Sequence, residues 1–238
     1  MKIALIGYGK MGKAIEEIAV QRGHEIVLKI DENNLPDFTK ENINKADVAI
    51  EFTGPHTAFD NVKKTIGYNK PVVCGSTGWL DKFEEIKKFC TDNKGSFLYA
   101  SNFSVGVNIF FELNKKLASL MAPHTDYEVN IIEIHHTQKK DAPSGTAITV
   151  AEQILENIPR KKNWVNQVSD NVDELEILSE RTDPAPGTHK VKYSSAIDDI
   201  EIIHTAHSRK GFALGAVLGA EFICNKKGIF SMKEVLGL

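Results

Sequence analysis

One short run, Glu133-Ile134-His135-His136-Thr137-Gln138-Lys139-Lys140-Asp141-Ala142-Pro143-Ser144-Gly145-Thr146-Ala147, gathers imidazole, ammonium, carboxylate and hydroxyl groups. A strand pattern ends at the two histidines, a loop carries the lysines, and Asp141 or Ser144 can cap a helix that starts near Gly145. The first N–H groups of a helix have no intrahelical acceptor, so Gly145 and Thr146 offer a seat for a carboxylate. The Thr146 hydroxyl adds a donor, and Lys139 adds a full charge and a transferable proton. His135 and His136 can donate hydrogen bonds or act as acids near neutral pH. Simpler readings stay open for single residues. Adjacent strand histidines point to opposite faces, so they do not share a metal. Either can be a structural strand-end residue, and Lys139-Lys140 can be a solvated loop.

A second group lies at the other end of the chain. Gly7-Tyr8-Gly9-Lys10-Met11-Gly12 follows an apolar strand and opens a helix. Gly7 allows a tight turn, Gly9 lets backbone approach a pyrophosphate, and Gly12 lets helix and strand pack closely. Asp31 stands about 20 residues further on, where a carboxylate can accept from a ribose diol. Asp31 and Glu32 repel a 2′-phosphate and favour NADH, while Lys10 and Lys29 partly offset them. Phe52-Thr53-Gly54-Pro55 and Gly75-Ser76-Thr77-Gly78 each follow a strand and are placed to line the nicotinamide half of such a cofactor.

The elements that must hold these groups alternate. Strands are predicted over 2–6, 25–30, 47–52, 71–73 and 97–100, with helices over 13–22, 55–68 and 80–93. That alternation means a parallel sheet covered on both faces. After Ser104 the pattern changes, with a helix over 109–121, a strand over 127–134 and a helix over 146–156. A polar stretch over 160–183 receives no assignment. A turn at 184–187, strands over 190–194 and 200–206, and an apolar helix over 214–225 complete the chain. The expected fold class is α/β. A Rossmann-type domain (1–105 with 210–238) is joined to a smaller α+β substrate and oligomerisation domain (106–209), and the last helix returns to the first domain.

Composition narrows the function classes. The chain has 238 residues, 42% of them apolar, enough for a substantial core. A formal charge of −3 argues against a nucleic-acid binder. Three widely spaced cysteines form no metal or disulfide pattern, and no metal site is expected. No run approaches the ~20 apolar residues of a membrane span. Met1–Ile6 enters a strand without a signal-peptide pattern, so a soluble cytoplasmic protein is expected.

His135-His136-x-x-Lys139-x-Asp141-Ala142-Pro143-Ser144-Gly145-Thr146-Ala147 resembles the signature of the dihydrodipicolinate reductase family. Phe52-Thr53-x-Pro55, Gly75–Gly78, Ser101–Asn108, His204–Ala216 and Val235–Leu238 resemble its other blocks, in order, over nearly the whole chain. The resemblance implies reduction of 4-hydroxy-tetrahydrodipicolinate to tetrahydrodipicolinate with NADH or NADPH, in lysine and diaminopimelate synthesis. It implies His135 and Lys139 as catalytic acid–base groups, with Lys139 rather than Lys140 the proton donor. It implies His136, Gly145 and Thr146 as holders of the substrate carboxylates. Gly7, Tyr8, Gly9, Lys10, Met11, Gly12, Asp31, Gly75, Ser76, Thr77, Ala100, Ser101, Asn102 and Phe103 would meet the dinucleotide. It also implies a homotetramer built through the second domain. Arg209 is a further candidate carboxylate partner. Lys10 stands where many members carry arginine, and no arginine follows Asp31-Glu32, which weakens the case for NADPH. Two other readings remain: a Rossmann reductase such as an amino-acid dehydrogenase, and a nucleotide sensor without catalysis.

Overall fold

The computed structural model describes residues 1–238, which divide into two compact units, Met1–Val105 with Arg209–Leu238 and Gly106–Ser208. The first unit holds β1 (Lys2–Ile6), α1 (Lys10–Gln21), β2 (Glu25–Ile30), α2 (Lys40–Ile43), β3 (Val48–Glu51), α3 (Ala58–Gly67), β4 (Val72–Cys74), α4 (Phe83–Asp92) and β5 (Ser96–Tyr99). The second holds β6 (Glu128–His135), α6 (Gly145–Asn157), β7 (Asn163–Val165), β8 (Glu174–Arg181), β9 (Thr188–Ser194) and β10 (Asp199–Thr205), with α5 (Val105–Met121) leading into it. The chain then completes the first unit with α7 (Lys210–Ile223), β11 (Gly228–Phe230) and α8 (Met232–Leu236).

The first unit is a six-stranded sheet in the order β11-β5-β4-β3-β1-β2, parallel throughout. Successive strand residues point to opposite faces. Ala4, Ile6, Ala49 and Phe97 therefore pack with α2, α3 and α4, whereas Ile3, Leu5, Val48 and Leu98 pack with α1, α7 and α8. Both faces are covered, as a parallel sheet requires. In register, Ile6 pairs with Ile30 and Glu51, Glu51 with Cys74, and Cys74 with Tyr99. The strands thus end in one row, which puts Gly7, Asp31, Phe52, Gly75 and Ala100 along a single sheet edge.

The second unit is a mixed five-stranded sheet, β10-β9-β6-β8-β7, with β6, β8 and β7 parallel and β9 and β10 antiparallel. On β6 the buried positions are Val129, Ile131, Glu133 and His135. The apolar half of that stripe packs with Phe110 and Phe111 of α5 and with Val150, Ala151 and Ile154 of α6.

Several element boundaries differ from expectation. The stretch 160–183 contains β7 and β8. Leu175 and Ile177 of β8 are buried, but five of its eight residues are polar or charged, so its apolar content was too thin to mark it. The helix expected over 55–68 begins at Ala58, the one expected over 13–22 begins at Lys10, and the one expected over 109–121 begins at Val105. The final long helix begins at Lys210 rather than 214 and includes Gly211, Gly215 and Gly219. Those glycines read as helix-poor, but a Cβ on Gly215 would lie 1.7 Å from the Phe103 carbonyl oxygen. Close packing, not propensity, selects glycine there.

Candidate active site

In the first unit the Gly-rich turn is shaped by contacts that leave no room for side chains. Gly7 has φ +97°, and a Cβ on it would lie 2.2 Å from the Phe52 carbonyl oxygen. A Cβ on Gly12 would lie 2.3 Å from the Gly7 carbonyl oxygen. Gly9 differs: its Cβ would meet nothing within 4 Å, so the space before it is open. Gly9 is also the N-cap of α1 and supplies no capping side chain. An open, uncapped helix N-terminus suits a pyrophosphate, so these residues fit the dinucleotide.

Asp31 is held by hydrogen bonds within its own turn. Its Oδ1 accepts the Asn33 N–H at 2.8 Å, its own N–H donates to Asn34 Oδ1 at 2.8 Å, and Asn34 Nδ2 donates to the Lys29 carbonyl at 2.9 Å. At Gly75 a Cβ would collide with the Phe52 ring at 2.1 Å. Ser76 is buried, and its carbonyl accepts the Trp79 indole N–H at 2.7 Å. Thr77 follows it on the exposed part of the loop. Ala100 donates to the Cys74 carbonyl, and Ser101 and Asn102 follow at the surface of the same edge. Two side chains in the dinucleotide set are turned inward: Phe103 is 2% exposed and packs on Phe52, and Met11 packs on the core below α1. The half-buried Tyr8 side chain reaches α1, where its hydroxyl donates to Glu16.

In the second unit the chemistry collects around Glu133, whose role sequence reading missed. Register sets it opposite Ser179 on β8 and opposite His189 on β9. Its carboxylate is fully buried and accepts the Ser144 N–H at 3.1 Å on both oxygens, the Ser179 hydroxyl at 2.7 Å and the Arg181 guanidinium at 3.2 Å. His135 Nδ1 lies 3.3 Å from Oε2, an ion-pair contact longer than a well-formed hydrogen bond. Burial acts to raise the Glu133 carboxyl, but contacts with His135, Ser144 and Ser179 outweigh it and hold the group far below the usual carboxylate range. His189 donates to or accepts from the Ser144 hydroxyl at 3.1 Å. Burial, with His135 beside it, pushes His189 down to about 3, so it is neutral in the fold.

Ser144, not Asp141, caps α6: its hydroxyl accepts the Ala147 N–H at 3.2 Å. Asp141 instead takes both of its hydrogen bonds from Lys139, at 2.8 and 2.9 Å. Arg181 completes the loop by donating to the Asp141 carbonyl at 2.7 Å. Gly145 opens α6 with nothing within 4 Å of where its Cβ would be, and Thr146 follows it in the first turn. On the other side of His135, a Cβ on Gly187 would lie 3.1 Å from Nε2, so glycine lets the β8–β9 turn approach the ring. His136 is half-buried, and Lys139 N–H donates to its carbonyl at 3.1 Å. Lys140 is exposed, as is Arg209, which heads α7 in the first unit.

The second unit therefore brings His135, His136, Lys139, Gly145 and Thr146 to the end of β6 and the start of α6. It adds Glu133, Ser144, Ser179, Arg181 and His189 behind them. The available signal was a glutamate at 133, two steps beyond Val129 and Ile131 on the buried face. Glu133, His135 and His189 also place ligand atoms within 4.8 Å of one another. Both Glu133 oxygens already accept hydrogen bonds, and the Arg181 cation sits where it opposes a metal ion. We read the trio as part of a polar array around the Glu133 carboxylate, whose hydrogen bonds come from Ser144, Ser179 and Arg181.

Two family models match, "Dihydrodipicolinate reductase, N-terminus" over residues 1–103 and "Dihydrodipicolinate reductase, C-terminus" over 106–236. A 4-hydroxy-tetrahydrodipicolinate reductase of Christiangramia forsetii is 52% identical, covering 99% of this chain and 98% of its own. One from Methanosarcina acetivorans is 36% identical, covering 99% and 89%. Among solved structures, dipicolinate-bound dihydrodipicolinate reductase from Paenisporosarcina sp. TG-14 superimposes with a TM-score of 0.77 at 25% identity, over 98% of both chains. An engineered D-amino acid dehydrogenase bound to NADP+ reaches 0.54 at 13% identity over 99% and 95%, a likeness of fold alone.

Proposed function

The chain belongs to the dihydrodipicolinate reductase family, and from that premise we propose how its residues carry out the family's reaction. The protein is a nicotinamide-dependent reductase that converts 4-hydroxy-tetrahydrodipicolinate to tetrahydrodipicolinate in lysine and diaminopimelate synthesis. One hydride and one proton are consumed, and the hydroxyl leaves as water. The reduced nicotinamide supplies the hydride.

The chain's own residues do the rest. Gly145 and Thr146 at the open start of α6 hold a ring carboxylate, with His136 as a further donor. Lys139 carries the proton for the ring nitrogen. Asp141 keeps its ammonium at the loop until substrate arrives. His135 is the second acid–base group, with Glu133 behind Nδ1 and the Gly187 turn against Nε2. The observation that carries this assignment is the Glu133 array, which fixes the strand end and the helix start together. In the first unit, Gly7–Gly12 and the loops at Gly75–Thr77 and Ala100–Phe103 bind the dinucleotide.

NADH is the preferred cofactor in this proposal. Asp31, tied into its turn by Asn33 and Asn34, accepts from the ribose diol, and with Glu32 it repels a 2′-phosphate. The working form is a cytoplasmic homotetramer. Exposed apolar residues on β10, Ile203 at 57% and Ile200 at 39%, support assembly through the second unit. No helix is long and apolar enough to cross a membrane.

The test is oxidation of NADH and NADPH followed at the nicotinamide absorbance, with substrate formed in place from pyruvate and aspartate semialdehyde by the condensing enzyme. Rapid oxidation with a higher rate on NADH is expected. Folded, cofactor-binding protein that oxidises neither would reject the assignment. Light scattering should give a mass four times the 26.4 kDa chain.

A further inference from the structure

Lys29 precedes Asp31 by two positions at the end of β2, and residues so spaced leave a strand on the same face. Its ammonium lies 2.6 Å from Glu16 Oε1 and 3.3 Å from the Tyr8 hydroxyl. It also stands over the Tyr8 ring, 4.7 Å from the centroid. The Tyr8 hydroxyl donates to the second oxygen of Glu16. A cation from β2, a carboxylate from α1 and a phenol from the Gly-rich turn thus close one cluster beside the edge strand of the sheet. The two charges sustain each other. Hydrogen bonds from Lys29 and then Tyr8 lower the Glu16 carboxyl, and the bond to Glu16 raises Lys29.

Dinucleotide folds of this type put the ribose of the adenosine at the residue after β2, and those that take NADP set a cation nearby for the 2′-phosphate. Lys29, two residues before Asp31, is the cation of β2 that could serve so, but it is engaged by Glu16 and Tyr8. We propose that Glu16 is a cofactor-selectivity residue, which holds Lys29 against Tyr8 and cancels the charge that a 2′-phosphate would need. Glu16 does not touch the cofactor; it acts through Lys29. The inference rests on the NADH preference proposed above.

The experiment titrates the full-length protein with NADH and with NADPH, without substrate, and follows nicotinamide fluorescence. Its readout is the ratio of the two dissociation constants. Glu16→Gln should shift that ratio toward NADPH by about fivefold, the effect of one freed cation near an exposed phosphate. Adding Lys29→Met should return the ratio to the wild-type value. Lys29→Met alone should shift the ratio away from NADPH by a similar factor, because it leaves the Glu16 charge unpaired. The Glu16→Gln gain should also shrink as salt is raised. A ratio that stays put in Glu16→Gln, or a gain that survives in the double variant, overturns the proposal. Equal wild-type constants for the two cofactors would instead remove the NADH preference on which it rests.

Discussion

The backbone N–H of Ser144 donates to both carboxylate oxygens of Glu133, at 3.1 Å each, and so joins the start of α6 to the end of β6. A buried carboxylate here organises two elements that carry different parts of the proposed chemistry. The strand bears His135, and the helix bears Gly145 and Thr146.

Replacing Glu133 should therefore be costly in two ways. Glu133→Gln keeps the shape but leaves Arg181 without its anion and gives the Ser144 N–H a weaker acceptor. Breaking such a buried pair costs about 3–5 kcal/mol, which urea unfolding would report. Turnover should fall as well, since His135 loses the group behind Nδ1. A variant with wild-type stability and turnover would show that the array is incidental.

Lys139→Ala should lower turnover by about 10²–10⁴, the usual contribution of a positioned acid. Cofactor binding, read by nicotinamide fluorescence, should be unchanged, because Lys139 lies in the second unit. Lys140→Ala should leave turnover near wild type, since Lys140 is exposed. A reversed pattern would move the proton donor to Lys140.

His189 predicts a pH dependence of stability. Its folded value of about 3 lies below the ordinary 6.5, so the unfolded chain binds a proton that the folded chain refuses. Stability from this group is full above pH 6.5 and is lost as pH falls toward 3. The loss should amount to a few kcal/mol, on the order of 1.4 per unit of difference. His189→Asn should flatten the unfolding free energy between pH 6 and about pH 4 relative to wild type. Parallel pH curves for the two proteins would contradict a neutral buried His189.

The two glycines of the first turn should separate binding from folding. Gly9→Ala puts a methyl into open space, so the melting temperature should hold while NADH affinity falls at least about tenfold, as the pyrophosphate loses its approach. Gly12→Ala forces a carbon to 2.3 Å from the Gly7 carbonyl oxygen and should destabilise the protein by about 1–3 kcal/mol. Equal effects of the two on melting would mean that Gly9 is structural too.

Much of this was legible along the chain. The glycine spacing, the acidic residue after β2 and the strand–helix alternation are local patterns, because a tight turn and a helix start need particular residues at particular offsets. The helix start at Gly145 was visible for the same reason. Boundaries were less so: Gly215 sits inside α7 because Phe103 passes against it, a fact about packing that no local propensity contains.

The sequence by itself determined the fold class, the family and the residue types that do the chemistry, since these depend on spacing within short segments. Tertiary structure decided which of those residues meet. Strand pairing set His189 and Ser179 beside Glu133 from 56 and 46 positions away in the chain, and helix packing set Glu16 against Lys29. Register and packing are non-local. A charge on a buried face therefore finds its partners only when the sheet closes, and only when α1 packs on the sheet does Lys29 meet Glu16.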